Sequence, residues 1–340
     1  MLTFVTLFDQ NYLSRGLALY SSLKEISTED FCLYILCMDD DVKNYFSENK
    51  FDKVKIISLS DIEDYYPVLK KIKKERTAGE YCWTLSPFSI QYVIKKYDTD
   101  HCTYIDADIY FYDSPTLIYD AIPKDKSVLI TSHNYSVKYN QDLSSGRYCV
   151  QFVFFRNDLN GNTVLEWWRQ QCEKWCYNRH EDGKFGDQKY LDDWTSRFNG
   201  VYVCQQFGAG LAPWNVQQVN VSKDEYQKLQ IQDVCTKNIQ PIIFYHFHQL
   251  KFVKNAEWHL GEYDVQSEVK QLLYVPYVQL LLHIESNLDE KYRNKIVLKM
   301  GKISVLRKIA RVLKRTLKCF VKEWHKVFTD VEYKASCFKI

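Results

Sequence analysis

The first 130 residues alternate short apolar runs with segments of helical periodicity, and this pattern constrains the fold more than any other feature of the chain. The first run covers residues 2–8, and apolar side chains then recur at helical spacing over residues 12–23. Further strand-like runs cover 31–38, 54–59, 102–105 and 127–131, and a helix is expected at 86–97 with Pro87 in its first turn. Strands separated by helices predict a mostly parallel sheet with helices on both faces. Such folds bind ligands at the carboxyl ends of their strands.

The second half of the chain mixes strand and helix patterns without this alternation. Strand-like runs cover residues 148–155 and 242–247, and helical patterns cover residues 164–177 and 265–286. We expect these strands to complete the same sheet, which gives a Rossmann-like α/β domain over residues 1–260. Residues 261–340 are expected to form a helical C-terminal extension.

The formal net charge of +2 hides a strong asymmetry along the chain. Residues 291–326 contain 13 Lys or Arg and one Glu, so this stretch carries +12 and the remainder −10. Over residues 291–328, apolar side chains recur every three or four positions and end in Trp324 and Phe328. A basic amphipathic helix of this kind is typical of a membrane interface, where anionic lipids attract Lys and Arg. We expect binding to an anionic membrane rather than to nucleic acid, which would not require the apolar stripe.

Cysteine usage and the first residues favour a cytoplasmic protein, peripheral on the inner face of the plasma membrane. The 11 cysteines form no C-x-x-C pair, and an unpatterned odd number is typical of reduced thiols. No basic segment precedes the first apolar run, as it would in a secretory signal. Cys172, Cys176 and His180 recur every four residues, which leaves a zinc enzyme open as an alternative, although buried cysteines on a helix are ordinary.

The strongest local signal for chemistry is the D-x-D of Asp106 and Asp108, which follows the apolar run at 102–105. In extended geometry, side chains at i and i+2 point to the same side. Adjacent carboxylates repel, so the pair favours a cation, and a divalent metal with open positions can bind a diphosphate. A second D-x-D, Asp98 and Asp100, lies where turn chemistry suffices. The strand before the first pair is what distinguishes it.

His246 and His248 form a similar i, i+2 pair at the end of the run at 242–247. Neutral imidazole is a common metal ligand, and two on one face of a strand indicate metal or phosphate binding. Oxygen ligands with one nitrogen favour Mn²⁺ or Mg²⁺ over zinc.

Two glycine-containing segments complete the candidate site. Gly186 precedes Asp187 and Gln188 at a predicted helix entrance, where a capping acid and a solvated amide are the alternative. Small residues before Trp214 permit close approach of the backbone to a ligand. Trp214 is a candidate for stacking on a sugar, with a buried core residue as the alternative.

In this order, the motifs resemble those of a nucleotide-sugar glycosyltransferase of GT-A fold, with a layout similar to glycosyltransferase family 8. The resemblance covers residues 1–260. It implies a UDP-sugar donor bound through Mn²⁺ or Mg²⁺ and a metal site of Asp106, Asp108 and His246, with His248 as the alternate ligand. Together with the basic tail, it implies a glycan or lipid-linked acceptor in cell-surface polysaccharide synthesis, of the lipopolysaccharide or capsule kind.

The resemblance also assigns further residues. It places the nucleotide against Phe8, Asp9, Asn11, Tyr12, Asp106 and Ala107, with Tyr12 stacked on uracil. It places the donor sugar against Glu80, Trp83, Thr84, Asp187 and Gln188, and the diphosphate against His248 and Lys251. Two family features are absent: no Pro-Trp follows Lys251, and Cys149-Val-Gln151 replaces Asn-Val-Gly.

Two stereochemical outcomes are open at this stage. Retention, which the resemblance implies, needs no strong enzymic base and places Gln188 near the developing oxocarbenium ion. Inversion requires a carboxylate as general base, and Asp187 is then the first candidate.

Two other functions are the alternatives. A nucleotidyltransferase would show a Gly-rich, basic loop after the first strand, whereas residues 8–13 are neither. A non-catalytic, membrane-associated sugar-binding scaffold would lack metal-dependent turnover.

Overall fold

The structure is a computed structural model that describes residues 1–253, 257–293 and 337–339. The chain divides into two compact units. The first comprises Met1–His248 and Tyr263–Lys295, and the second comprises Gln249–Glu262 and Ile296–Ile340. Most of the basic amphipathic stretch predicted at 291–328 lies outside the described residues.

The first unit is built on a seven-stranded, mostly parallel sheet. Its strands in chain order, including those of two smaller sheets, are β1 (Leu2–Phe8), β2 (Phe31–Cys37), β3 (Val54–Ser58), β4 (His101–Ile105), β5 (Ile109–Phe111), β6 (Val128–Ser132), β7 (Tyr148–Arg156), β8 (Val201–Val203), β9 (Ala209–Leu211), β10 (Val219–Lys223), β11 (Leu229–Asp233), β12 (Ile239–Pro241) and β13 (Phe244–His246). The main sheet has the order β3-β2-β1-β4-β7-β6-β8, and β7 is antiparallel to both its neighbours. The mixed, mostly parallel sheet predicted from the sequence is confirmed.

Helices cover both faces of the main sheet. They are α1 (Leu13–Ile26), α2 (Asp40–Glu48), α3 (Leu59–Tyr65), α4 (Val68–Glu75), α5 (Ala78–Tyr97), α6 (Thr116–Tyr119), α7 (Leu159–Lys174), α8 (Trp194–Arg197), α9 (Ser267–Val269) and α10 (Val275–Asn287). A π-helical turn, Lys270–Tyr274, joins α9 to α10. Within the part of the chain that the structure describes, no helix has the length and apolar character to span a bilayer.

Strand β1 shows how side chains divide between the two helical layers. Phe4 and Phe8 pack with residues of α1 and α2, whereas Val5 and Leu7 pack with residues of α5 and α7. Successive side chains of a strand point to opposite faces, so a continuously apolar strand must be covered on both sides. Each fully buried side chain of this kind contributes about 1.5–3 kcal/mol.

Helix α5 begins at Ala78, eight residues before the predicted start. Its N-terminus is a capping box, in which Thr77 accepts from the Glu80 amide and the Glu80 carboxylate accepts from the Thr77 amide. Pro87 therefore lies inside the helix, and the prediction that it occupies the first turn is wrong. An internal proline costs roughly 3 kcal/mol of folding free energy. The burial of every residue from Leu85 to Ile94 offsets this cost.

One strand in the second half of the chain departs from the prediction. Strand β7 joins the main sheet, but β13 pairs with β5 and β9 in a separate three-stranded sheet. The helical segment after residue 263 belongs to the first unit, where α10 packs against α1. The division into domains at residue 260 remains a prediction.

The described residues of the second unit include a small antiparallel sheet. Its strands are Lys251–Val253, Glu257–His259 and Cys337–Lys339.

Candidate active site

The carboxyl ends of β1, β2 and β4 meet at one edge of the main sheet because these strands are parallel neighbours. An aspartate follows each strand within two residues: Asp9, Asp39 and Asp106. Asp39 is used structurally, since its carboxylate accepts from the amides of Gln10 and Val42. Asp9 shapes the turn after β1 by accepting from Asn11, which leaves Asp106 available for chemistry at this edge.

Asp106, Asp108 and His246 converge at this edge. The His246 Nε2 atom lies 3.1 Å from Asp108 Oδ1 and 3.8 Å from Asp106 Oδ2. One ligand atom from each residue lies within 4.8 Å of the other two. Among the described residues, this is the one group of three or more potential metal ligands. The predicted metal-ligand set is therefore brought together.

The D-x-D differs in conformation from the prediction. Strand β4 ends at Ile105, and Asp106-Ala-Asp108 forms a turn in which the Ile109 amide donates to the Asp106 carbonyl at 3.3 Å. The extended geometry expected for the pair is wrong. The turn nevertheless brings both carboxylates to His246, because β5 pairs with β13 in the register Ile109↔His246.

Gln151 fixes the orientation of His246. The His246 Nδ1 atom lies 2.8 Å from the Gln151 Oε1 atom, and both side chains are buried. A carbonyl oxygen can only accept, so Nδ1 carries the proton and Nε2 presents a lone pair toward Asp106 and Asp108. Two carboxylates and one imidazole nitrogen form a donor set that fits Mn²⁺ or Mg²⁺.

The charges of the three groups shift one another's pKa. Burial would lower the pKa of His246, but Asp108 and Asp106 outweigh it and hold that pKa well above its usual value. Burial raises the pKa of Asp106, against the opposing effect of His246. Without a metal, a proton on the imidazole supplies the positive charge that a divalent cation would supply.

The zinc alternative is not supported by the described residues. Cys172 and Cys176 are fully buried in the core, where desolvation raises the pKa of Cys172 well above its usual value. His180 stacks on Phe185 with ring centroids 4.5 Å apart. The three residues are not a ligand cluster.

His248 and Trp214 lie beside the metal ligand. The Trp214 ring centroid is 5.3 Å from those of both His246 and His248. Trp214 is 3% exposed, and its indole nitrogen donates to the His133 carbonyl at 2.8 Å. Trp214 therefore lies in the core beside the two histidines, which favours the alternative of a buried core residue.

Asp187 is buried near the metal ligands. Its backbone carbonyl accepts from the Trp168 indole at 2.9 Å, and its carboxylate interacts with the Ser86 hydroxyl on α5. Desolvation raises the pKa of Asp187 to about 7, and the negative charge of Asp106 adds to the effect. The Tyr104 hydroxyl interacts with both Ser86 and Asp106, so it joins the two acidic groups. Asp187 does not cap the turn that follows it.

Gln188 begins a 3-10 turn next to Asp187. Its amide nitrogen donates to the Ser145 carbonyl at 2.7 Å, which fixes the side chain against the loop before β7. Gly186 has φ of 53°, and a Cβ atom there would lie 3.3 Å from the Trp83 ring. Glycine therefore lets the backbone bend sharply against Trp83 just before the two polar residues.

The segment after β1 forms a tight turn at the same edge. The Asp9 carboxylate accepts from the backbone amide and the side-chain amide of Asn11, both at 3.0 Å. Tyr12 follows with 40% of its surface exposed. Phe8 is buried against Gly16, where a Cβ atom would lie 2.3 Å from the Phe8 ring. The turn thus presents Tyr12 outward while the buried Phe8 anchors it.

The remaining predicted residues differ in how accessible they are. Ala107 is 6% exposed between the two metal ligands. Thr84 is fully buried and donates to the Glu80 carbonyl. The Glu80 carboxylate is occupied by the α5 cap and by the Asn178 amide at 2.8 Å. Lys251 belongs to the second unit.

Sequence reasoning missed four residues of this region. Gln151, Tyr104 and Ser86 are buried side chains that interact with His246, Asp106 and Asp187, and Arg15 lies in the first turn of α1. The one signal for Gln151 was a polar residue inside the apolar run of β7. Arg15, Tyr104 and Ser86 lie in segments read as regular helix or strand and gave no signal.

Comparison with known proteins gives relatives of this chain in Bacillus subtilis (strain 168). The uncharacterized protein YfnF is 31% identical over 262 residues, which cover 75% of this chain and 83% of YfnF. The chain belongs to the same family as YfnF. The uncharacterized protein YfnD is 29% identical over 293 residues, which cover 84% of this chain and 90% of YfnD. No protein-family model matches the chain.

Solved structures identify the fold. The galactosyltransferase LgtC, solved with donor and acceptor sugar analogs, matches 87% of this chain and all of its own with a TM-score of 0.51 and 13% identity. A structure of an LgtC active-site variant with Gln replaced by Glu matches equally, with a TM-score of 0.52 and 14% identity. The fold of this YfnF relative is therefore that of the GT-A glycosyltransferases, and LgtC fits the predicted similarity to family 8.

Proposed function

We propose that this protein is a metal-dependent glycosyltransferase that moves a sugar from a UDP-sugar donor to a glycan or lipid-linked acceptor. The observation that carries the proposal is the cluster of Asp106, Asp108 and His246 at the carboxyl edge of a GT-A sheet. The three residues would hold Mn²⁺ or Mg²⁺. The bound metal would coordinate the diphosphate and offset part of its negative charge as it leaves.

Residues at the same edge would position the donor. Tyr12 presents an exposed ring for the uracil base, and Asp9 and Asn11 shape the turn behind it. Asp187 and Gln188, which lie beside the metal ligands, would bind the hydroxyls of the donor sugar. Phe8 and Ala107, which are buried, would line the nucleotide, and Trp83, which is partly buried, would line the donor sugar. His248 would contact the diphosphate, and Lys251 is assigned to it by the sequence resemblance alone. Glu80 and Thr84 would act through the α5 cap, because both are engaged there.

We propose that the reaction proceeds with retention. The Gln188 side chain carries no charge and is held by the Ser145 carbonyl, so its oxygen is available to stabilise positive charge on the anomeric carbon. The proton of the acceptor would pass to the leaving phosphate. An LgtC variant with Gln replaced by Glu is described as an active-site mutant, so a glutamine lies in the active site of that protein.

The basic stretch at 291–328 supports an acceptor at an anionic membrane, in cell-surface polysaccharide synthesis on the cytoplasmic face. That assignment rests on the sequence pattern, since a lipid-linked acceptor requires the enzyme to approach the bilayer.

Release of UDP from a panel of UDP-sugars, with and without Mn²⁺, tests the proposal. We expect one donor to be turned over only with the metal, and Asp108→Asn to abolish this turnover. The second D-x-D supplies a matched control, since the exposed Asp100 precedes β4 whereas Asp106 and Asp108 follow it, and Asp100→Asn should retain full activity. Binding of UDP without turnover of any sugar, in the presence of candidate acceptors, would favour the non-catalytic scaffold.

A further inference from the structure

Two polar side chains outside the predicted site lie next to the metal ligands. Arg15 is in the first turn of α1, and Tyr277 is on α10, which packs against α1. They are 6% and 2% exposed, respectively. A buried cation and a buried hydroxyl beside an acidic cluster suggest a ligand with negative charge.

Tyr277 is tied to the metal site through Phe247. The two rings stack with centroids 3.8 Å apart and planes 9° from parallel. The Phe247 amide donates to the Asp108 carbonyl at 2.9 Å. The Tyr277 hydroxyl is buried and has no hydrogen-bond partner among the described residues. A buried hydroxyl left in this state costs free energy, which a ligand or water recovers by accepting its hydrogen bond.

Arg15 is brought near Tyr277 by the packing of α1 against α10. Its guanidinium is 4.6 Å above the Tyr12 ring and donates to the Asn11 carbonyl at 3.3 Å. Burial raises the pKa of the Tyr277 hydroxyl, and the charge of Arg15 acts against this rise. Against the effect of burial, His246 and, more weakly, Arg15 lower the pKa of Asp108. Arg15 is therefore near both the Tyr277 hydroxyl and Asp108.

Charge balance indicates what this region holds. Two carboxylates cancel a divalent metal, so a bound diphosphate would retain its negative charge unless another cation were present. Arg15 supplies such a cation, and guanidinium and hydroxyl donors both suit phosphate oxygens.

We propose that Arg15 and Tyr277 form an anion-binding pair beside the metal triad and bind the diphosphate of the donor. This inference rests on the proposed function, because the anion is assigned to a nucleotide donor. It also makes α10 part of the active site, although the sequence places it outside the predicted transferase domain.

Titration of the full-length protein with pyrophosphate in the presence of Mn²⁺ tests the pair without a nucleobase. Tyr277→Phe and Arg15→Gln should each weaken binding roughly tenfold, as expected for the loss of a hydrogen bond to a charged group. Mn²⁺ alone should bind Tyr277→Phe normally, and should bind Arg15→Gln equally well or more tightly because a nearby positive charge is removed. Unchanged pyrophosphate affinity in both variants would overturn the inference.

A matched control is available on the same helical segment. The Tyr274 hydroxyl is bonded to the Tyr245 hydroxyl at 3.0 Å, so Tyr274→Phe removes a buried hydroxyl that already has a partner. It should leave pyrophosphate binding unchanged, and an equal loss in this variant would show a general packing effect and contradict the pair. Arg15→Lys retains the charge and should recover part of the affinity if the protein tolerates the change.

The outcome is separable from that of the proposed function. If Arg15 only shapes the turn that carries Tyr12, Arg15→Gln will weaken the binding of uridine and leave the binding of pyrophosphate with Mn²⁺ unchanged. That result would overturn this inference and leave the proposed function standing. If the pair binds pyrophosphate but no nucleotide sugar is turned over, the inference stands and the glycosyltransferase assignment fails.

Discussion

The Nδ1 atom of His246 lies 2.8 Å from the Oε1 atom of Gln151, inside a core where both side chains are at most 4% exposed. This contact decides which imidazole nitrogen faces the carboxylates. Gly210 makes the contact sterically possible, since a Cβ atom at that position would lie 3.2 Å from the Gln151 amide nitrogen.

Gln151→Leu should weaken Mn²⁺ binding roughly 10- to 100-fold, because the imidazole loses the partner that fixes its tautomer and orientation. Calorimetric titration with Mn²⁺ measures the change. Thr131→Val is the matched control. The Thr131 hydroxyl lies 3.4 Å from the Gln151 amide nitrogen, so this hydrogen bond is much weaker than the one between Gln151 and His246. Equal Mn²⁺ affinities of Gln151→Leu and the wild type would show that this contact does not position the ligand.

Gln188→Ala should lower kcat roughly 100-fold, as expected when one group that stabilises the transition-state charge is removed. Affinity for UDP should stay close to that of the wild type, because Gln188 is assigned to the sugar and not to the nucleotide. Steady-state kinetics and UDP titration separate the two effects. Gln205→Ala changes an exposed glutamine and serves as the control. A loss of UDP affinity as large as the loss of kcat would contradict the assigned role.

Asp187→Asn should stabilise the metal-free protein at alkaline pH. The pKa of Asp187 is about 7 when folded, above its value in the unfolded chain, so the folded state holds the proton more tightly. The free energy of unfolding therefore falls as pH rises from about 4 to 7. The variant should be more stable by on the order of 2–4 kcal/mol at pH 8, with little difference near pH 4.

Thermal denaturation in a chelator at both pH values checks this prediction. Asp182→Asn, which changes an exposed acid, should show no such dependence. A variant that is less stable than the wild type at pH 8 would show that Asp187 is stabilising as a carboxylate.

The structure indicates where the basic tail can be removed. Lys291 binds Glu48 at 2.9 Å, the Tyr292 hydroxyl donates to the same carboxylate, and Gln10 donates to the Lys291 carbonyl. A chain ending after Arg293 keeps these contacts. We expect it to lose sedimentation with anionic vesicles and to keep Mn²⁺-dependent hydrolysis of the donor.

Neutral phosphatidylcholine vesicles are the control for that experiment, since they lack the charge that attracts Lys and Arg. Continued sedimentation of the shortened chain with anionic vesicles would place the membrane contact elsewhere on the protein.

The sequence predicted every strand of the main sheet except the short β8, and it predicted the candidate metal ligands, because both depend on local patterns. Apolar runs locate strands, and the order of parallel strands determines which polar residues share an edge. His246 was predicted as a ligand although it reaches Asp108 through a second, smaller sheet. The pair of histidines at the end of a strand indicated metal or phosphate binding, even though the pairing of that strand was not predicted.

Long-range packing explains what the sequence did not predict. The turn at Asp106 and Asp108 depends on β5 pairing with β13, and the burial of Trp214 depends on the loop that carries His133. Tyr277 reaches the metal site from a helix 31 positions after His246, a distance that no local pattern encodes. The start of α5 is a different case, since the capping residues Thr77 and Glu80 mark the helix N-terminus in the sequence itself.

The central claim is that Asp106, Asp108 and His246 hold a metal that binds a nucleoside diphosphate at the edge of the sheet. Calorimetric titration of UDP with and without Mn²⁺, for the wild type, Asp108→Asn and Asp100→Asn, tests it most directly. We predict tight UDP binding only when Mn²⁺ is present, lost in Asp108→Asn and retained in Asp100→Asn. Mn²⁺-dependent UDP binding that survives in Asp108→Asn would contradict the claim.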